Sequence, residues 1–94
     1  MTFVNRLKGY EICYSSRAKK FIEKLDKKTA LHIVEKLEQL VSGNNNLDVK
    51  KLSGSSDPRF RLRVGYFRLI YEIKEHELIV YVVEVGHRKE IYRN

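Results

Sequence analysis

One cysteine, Cys13, in 94 residues excludes an internal disulfide framework and fits a reducing compartment. Set in a stretch that alternates with apolar residues, it reads as a buried, inert thiol rather than a nucleophile. The N-terminus lacks the apolar run of a signal peptide, and no stretch reaches membrane-spanning length, so a soluble, cytoplasmic protein is expected. Three histidines (His32, His76 and His87) and the single thiol fall at no metal-ligand spacing. No glycine-rich phosphate loop opens a helix, no serine nucleophile elbow is present, and no carboxylate pair suits a glycosidase. Internal repeats, low-complexity tracts and linkers are missing as well. The expectation is one domain over residues 1–94 that needs no metal or cofactor. Its 43% hydrophobic content is enough for one core but not two.

The formal net charge is +7, which implies an acidic partner such as a nucleic acid, an acidic protein or a membrane surface. The two cation types divide along the chain. Residues 1–58 hold nine lysines and two arginines, whereas residues 59–94 hold six arginines and two lysines. Lysine on a helix is ordinary solvated surface. The planar fork of arginine suits bidentate contact with phosphate or carboxylate and keeps its charge at any working pH.

The arginines concentrate in Arg59-Phe60-Arg61-Leu62-Arg63-Val64-Gly65-Tyr66-Phe67-Arg68, which contains no acid. A period of two predicts a strand with one face buried. A two-residue turn at Gly65-Tyr66 would pair Val64 with Phe67, Leu62 with Leu69 and Phe60 with Tyr71. The same register sets Arg63 opposite Arg68 and Arg61 opposite Ile70. Like charges facing each other across a ladder are destabilising, so a sheet that keeps them is expected to meet something anionic there.

Elsewhere, Tyr10 to Tyr14 alternates as a first strand. Ser15 or Ser16 offers an N-cap to a helix carrying Ala18, Phe21, Ile22 and Leu25. Asp26 caps a second helix whose stripe is Ala30, Ile33, Val34, Leu37, Leu40 and Val41, and Gly43 with the asparagine run ends it. His32 lies beside the stripe and reads as structural or surface. Residues 47–58 read as a loop. After the arginine hairpin, which runs to Ile73, residues 78–85 form a last strand ended by Gly86. If the preceding turn keeps parity, Leu78, Val80 and Val82 join the core, while Ile79, Tyr81 and Val83 share the arginine face. The order β-α-α-β-β-β predicts an α+β fold: a small, mainly antiparallel sheet with an N-terminal helical hairpin on one face. The other face would be cationic, partly aromatic and open.

A cationic strand face near a tail with His87, Arg88 and Tyr92 is what metal-free cleavage of an RNA phosphodiester requires. Attack by the ribose 2′-hydroxyl builds negative charge on a phosphorane-like transition state, which fixed guanidinium groups stabilise. One group must take the 2′-hydroxyl proton and another must protonate the leaving oxygen. Arginine is a poor choice for either, with a pKa above about 12. His87, intrinsically near 6.5, and Tyr92, near 10, are the proton-transfer candidates. Each also has a plain structural reading: His87 as a turn residue, Tyr92 as a cap on the core edge or a base-stacker. The catalytic candidates are thus Arg61, Arg63, Arg68, His87, Arg88 and Tyr92. Lys50, Lys51, Arg59 and Tyr81 are candidate RNA contacts, although charged loops are commonly just solvated and Tyr81 also suits sheet packing.

Several short motifs recur in order: Ser16-x-Ala18, Leu25-Asp26, Lys51-Leu52-x-Gly54, Arg61-Leu62-Arg63-Val64-Gly65-x-x-Arg68-Leu69-Ile70-Tyr71, and Val85-Gly86-His87-Arg88-x-x-x-Tyr92. With these the chain resembles the RelE side of the RelE/ParE superfamily of toxins from bacterial toxin–antitoxin pairs, from about Tyr10 to Tyr92. The resemblance implies an mRNA interferase that enters the ribosomal A site, contacts mRNA and rRNA there, cuts the codon and halts translation. It also implies a cognate acidic, RelB-like antitoxin. The family's cationic strand pair falls on Arg61 and Arg63, its hairpin arginine on Arg68, its late arginine on Arg88 and its terminal tyrosine on Tyr92. The best-studied pattern has lysines where this chain has Arg61 and Arg63. Those two arginines are therefore assigned to phosphate and transition-state charge, and acid–base work shifts to His87 and Tyr92. Two alternatives remain: the ParE branch shares the fold and poisons DNA gyrase without cutting RNA, and a basic RNA-binding module would lack catalysis altogether.

Overall fold

A computed structural model describes residues 7–44, 46–52 and 59–87. The first strand, β1 (Glu11–Tyr14), leads into α1 (Ser16–Glu23) and α2 (Lys27–Val41). Four more strands follow: β2 (Val49–Lys51), β3 (Arg59–Val64), β4 (Phe67–Lys74) and β5 (Ile79–His87). They form one five-stranded sheet in the order β1-β5-β4-β3-β2, antiparallel except where β1 runs parallel to β5.

The helix boundaries follow from side-chain capping. The Ser15 hydroxyl accepts from the Ala18 N–H at 3.0 Å, and Asp26 accepts from the Thr29 N–H at 3.1 Å. Each satisfies a backbone donor that the first turn leaves orphaned. Ala18, Ile33, Leu37 and Leu40 then pack against Leu62, Val64, Leu69, Tyr71, Val80, Val82 and Val85 in one buried cluster. Burying a side chain of this kind stabilises by about 1.5–3 kcal/mol. The helical hairpin therefore covers one sheet face, and His32 is exposed beside its stripe.

The β3–β4 register is the one the alternation requires. Val64 pairs with Phe67, Leu62 with Leu69, Phe60 with Tyr71, Arg61 with Ile70 and Arg63 with Arg68. Gly65 has φ +58° at the first central position of the turn, where a type II′ hairpin places glycine.

Four features depart from the sequence reading. Residues 49–51 form a short edge strand rather than loop, pairing Val49 with Leu62, Lys50 with Arg61 and Lys51 with Phe60. Leu78 is 54% exposed and does not join the core, because it takes the left-handed conformation (φ 56°) that closes the β4–β5 turn. Cys13 is half-buried rather than buried, since it pairs with Tyr81 on the face away from the helices. Gly86 does not end β5, which continues to His87.

The strongest departure is a bulge in β5. Tyr71 pairs with Val82 but Ile70 pairs with Glu84, leaving Val83 as the extra residue. One added residue reverses side-chain parity downstream. Val80 and Val82 face the helices before the bulge, and Val85 and His87 face them after it.

Candidate functional site

The face turned away from the helices carries Arg59, Arg61 and Arg63 from β3, with Arg68 from β4. Strand alternation puts them there because Phe60, Leu62, Val64, Phe67 and Leu69 are drawn to the opposite, core side. The centre of this face is not open. Arg68 is 2% exposed and Arg61 6%, with Ile70 also buried between the strands. Arg68 has Gly86 as its partner on β5, so no side chain from that position crowds the guanidinium.

Asp48 is the counter-charge that composition and spacing missed. Its Oδ1 accepts from Arg61 Nη2 at 2.7 Å, and its Oδ2 lies 3.7 Å from Arg63 Nε. The Arg63 N–H also donates to the Asp48 carbonyl at 3.0 Å, which extends the β2–β3 pairing by one residue. Asp48 and Lys50, flanking Val49, therefore lie on the arginine face, and Lys51 turns to the other side with Phe60. The usable sequence signal was the alternation Asp48-Val49-Lys50. It is too short to distinguish from loop.

Arg59 is engaged by its cross-strand partner Glu72, whose Oε2 accepts from Nε at 3.0 Å. Glu72 also pairs with Lys74 at 3.8 Å, and the Lys74 ammonium sits 5.6 Å from the centre of the Tyr81 ring. Tyr81 thus belongs to the arginine face, as the parity argument requires, within a charged and aromatic group at the far end of β4.

His87 is not brought together with the arginines. Parity reversed by the bulge sets it opposite Phe67 on the helix side, its ring 4.9 Å from Phe67 and 6.1 Å edge-on from Phe21. Its expected place in the proton-transfer group is therefore corrected. Arg88 and Tyr92 lie outside the described residues. Among the described tyrosines, burial raises the pKa of Tyr71, and burial together with Glu38 raises that of Tyr14. Both pack against the core, and neither is a base at neutral pH.

The described residues thus form a two-helix hairpin on a five-stranded sheet with an arginine-rich far face. The chain belongs to the family described as ParE toxin of type II toxin–antitoxin system, whose sequence model matches residues 12–92. Within that family it is a RelE-like toxin homologue. It is 33% identical over 81 residues to an Escherichia coli protein described as RelE-like toxin, covering 85% of this chain and 84% of that one. The isolated RelE toxin of E. coli superposes with a TM-score of 0.69 at 25% identity, covering 88% of this chain and 90% of its own. The toxin of the RelB–RelE antitoxin–toxin complex from Methanococcus jannaschii does so with a TM-score of 0.69 at 25% identity, covering 86% and 95%. Among the described residues, no helix is long and apolar enough to cross a membrane.

Proposed function

We propose that this RelE-like toxin is a metal-independent endoribonuclease that cuts mRNA in the ribosomal A site and so arrests translation. The observation that carries the reading is the convergence of Arg61, Arg63 and Arg68 on one sheet face, with Arg63 directly opposite Arg68. Guanidinium groups fixed by strand pairing need no reorganisation as charge develops on a phosphorane, which is where such donors act most strongly. The 2′-oxygen forms a bond to phosphorus and the bond to the 5′-oxygen breaks, giving a 2′,3′-cyclic phosphate and a 5′-hydroxyl. One proton leaves the 2′-hydroxyl and one reaches the 5′-oxygen. With His87 across the sheet, Tyr92 is the proton-transfer group of this chain, Arg88 joins the phosphate-binding set, and water or the ribosome completes the second transfer. Lys50, Arg59 and Tyr81 contact the RNA on either side. Lys51, exposed on the opposite face beside Phe60, is left to solvent. A cognate acidic antitoxin partner is supported by the RelB–RelE complex among the structural relatives.

Production of the toxin alone in growing cells tests this. The expected result is translational arrest with new mRNA ends inside translated codons; arrest with intact mRNA overturns it. The family match to ParE toxins favours one further reading, a gyrase poison. That reading requires trapped DNA breaks with RNA unharmed.

A further inference from the structure

The geometry points to Asp48 as an internal stand-in for the substrate phosphate: its carboxylate occupies the Arg61–Arg63 anion position and must be exchanged for a phosphodiester when RNA binds. This rests on the reading of the arginine face as a phosphate site and adds what controls entry to it.

Three observations support the exchange. Asp48 hydrogen-bonds only Arg61, at 2.7 Å; its second oxygen lies 3.7 Å from Arg63 Nε, an ion pair without a hydrogen bond, whereas the two non-bridging oxygens of a phosphodiester can serve both guanidinium groups. The Nε of Arg61 and that of Arg63 are both buried and have no hydrogen-bond acceptor among the described residues. A single carboxylate thus leaves two charged donors unsatisfied, and a phosphate group brings further acceptor lone pairs. Finally, the Asp48 side chain is 52% exposed while its carbonyl is held by the Arg63 N–H at 3.0 Å. The carboxylate can turn out to water about its side-chain torsions while the backbone and β2 stay paired.

The consequence is selectivity. A tethered carboxylate competes at an effective concentration on the order of millimolar, and left in place it repels any arriving anion. A lone phosphate ion gains too little to displace it. A polynucleotide, held also through Lys50 and Arg59, gains enough. Asp48 thereby turns a generic anion site into one that admits extended RNA.

The test measures binding of a single-stranded 2′-O-methyl RNA, which cannot be cleaved, and of inorganic phosphate. Asp48→Asn is expected to bind the RNA about tenfold tighter than wild type and to acquire measurable phosphate binding, with Asp48→Glu staying near wild type. Adding Arg61→Ala to Asp48→Asn should erase the gain. In the wild-type protein, saturation with the RNA should shift the Asp48 carboxyl carbon resonance, a readout that needs no variant to fold. A folded Asp48→Asn with unchanged or weaker binding, or an Asp48 resonance unmoved at saturation, overturns the inference. If Arg61→Ala and Arg68→Ala abolish RNA binding while Asp48→Asn brings no gain, only the role of Asp48 falls. If those arginine variants bind RNA as wild type does, the phosphate-site reading falls with it.

Discussion

The Ser15 hydroxyl donates a 2.6 Å hydrogen bond to the carbonyl of Val83, the extra residue of the β5 bulge. The same oxygen accepts from the Ala18 N–H, and the Ser15 N–H donates to the Val82 carbonyl at 2.9 Å. One serine therefore starts α1, docks it on the sheet and holds the irregularity that divides β5. On one side of that bulge Tyr81 shares the arginine face, and beyond it Gly86 does, beside Arg68, while His87 is sent to the helix side. The local fault in the ladder is what gives the arginine face its composition.

Removing that hydroxyl is expected to cost stability. Ser15→Ala loses an N-cap and leaves a part-buried carbonyl without its donor, together about 1–3 kcal/mol. For a domain of this size each kcal/mol corresponds to a melting shift of roughly 4–8 °C. Thermal unfolding followed by circular dichroism checks this, and Ser15→Thr should recover most of the loss.

Gly65 supplies a purely conformational test. Nothing lies within 4 Å of a Cβ built there, so any cost of Gly65→Ala comes from its φ of +58°. Alanine in the left-handed region costs about 1–2 kcal/mol, whereas Gly65→Asn should cost less. Denaturant midpoints at unchanged slope would report it.

Acid should act through Asp26. Hydrogen bonds from the Thr29 hydroxyl and backbone hold its pKa below the ordinary 3.8. A carboxyl with a depressed folded-state pKa stabilises fully above its unfolded value and loses that contribution as pH falls through the folded one. Asp26→Ala should therefore melt below wild type at pH 7, and the gap should close in the acid range below the ordinary value. A gap that persists there, measured by paired melting curves, contradicts the assignment.

Arg68 should matter for activity more than any single surface cation. Arg68→Ala is expected to lower mRNA cleavage by on the order of 100-fold, the scale of one lost transition-state donor. Because Arg68 is 2% exposed, Arg68→Lys and a melting curve separate lost charge geometry from lost fold. Lys51→Ala, on the other face, should change cleavage little.

Much of the fold could be read from local pattern. The β3–β4 register followed from an uninterrupted period of two around a single glycine, and the helix starts followed from Asp26 and from the Ser15-Ser16 pair, of which the structure uses Ser15. What escaped has long-range causes. The bulge at Val83 depends on a serine 68 residues away. β2 exists only because β3 offers Leu62, Arg61 and Phe60 as partners, and so Asp48 could not be seen as the counter-ion of Arg61. Leu78 reads as a strand residue by hydropathy, yet the turn geometry took it. The open cationic face expected from alternation proved buried at its centre, because alternation gives direction and not exposure.

If the arginine face supports phosphodiester cleavage on the ribosome, the chemistry is written in the ends of the cut RNA. Purified toxin is added to stalled ribosomes carrying a defined mRNA, and the termini of any product are analysed. A 2′,3′-cyclic phosphate on the upstream fragment and a 5′-hydroxyl on the downstream one, formed without divalent metal and lost in Arg61→Ala, is the predicted result. Uncut mRNA in the A site, or 5′-phosphate ends, would contradict it.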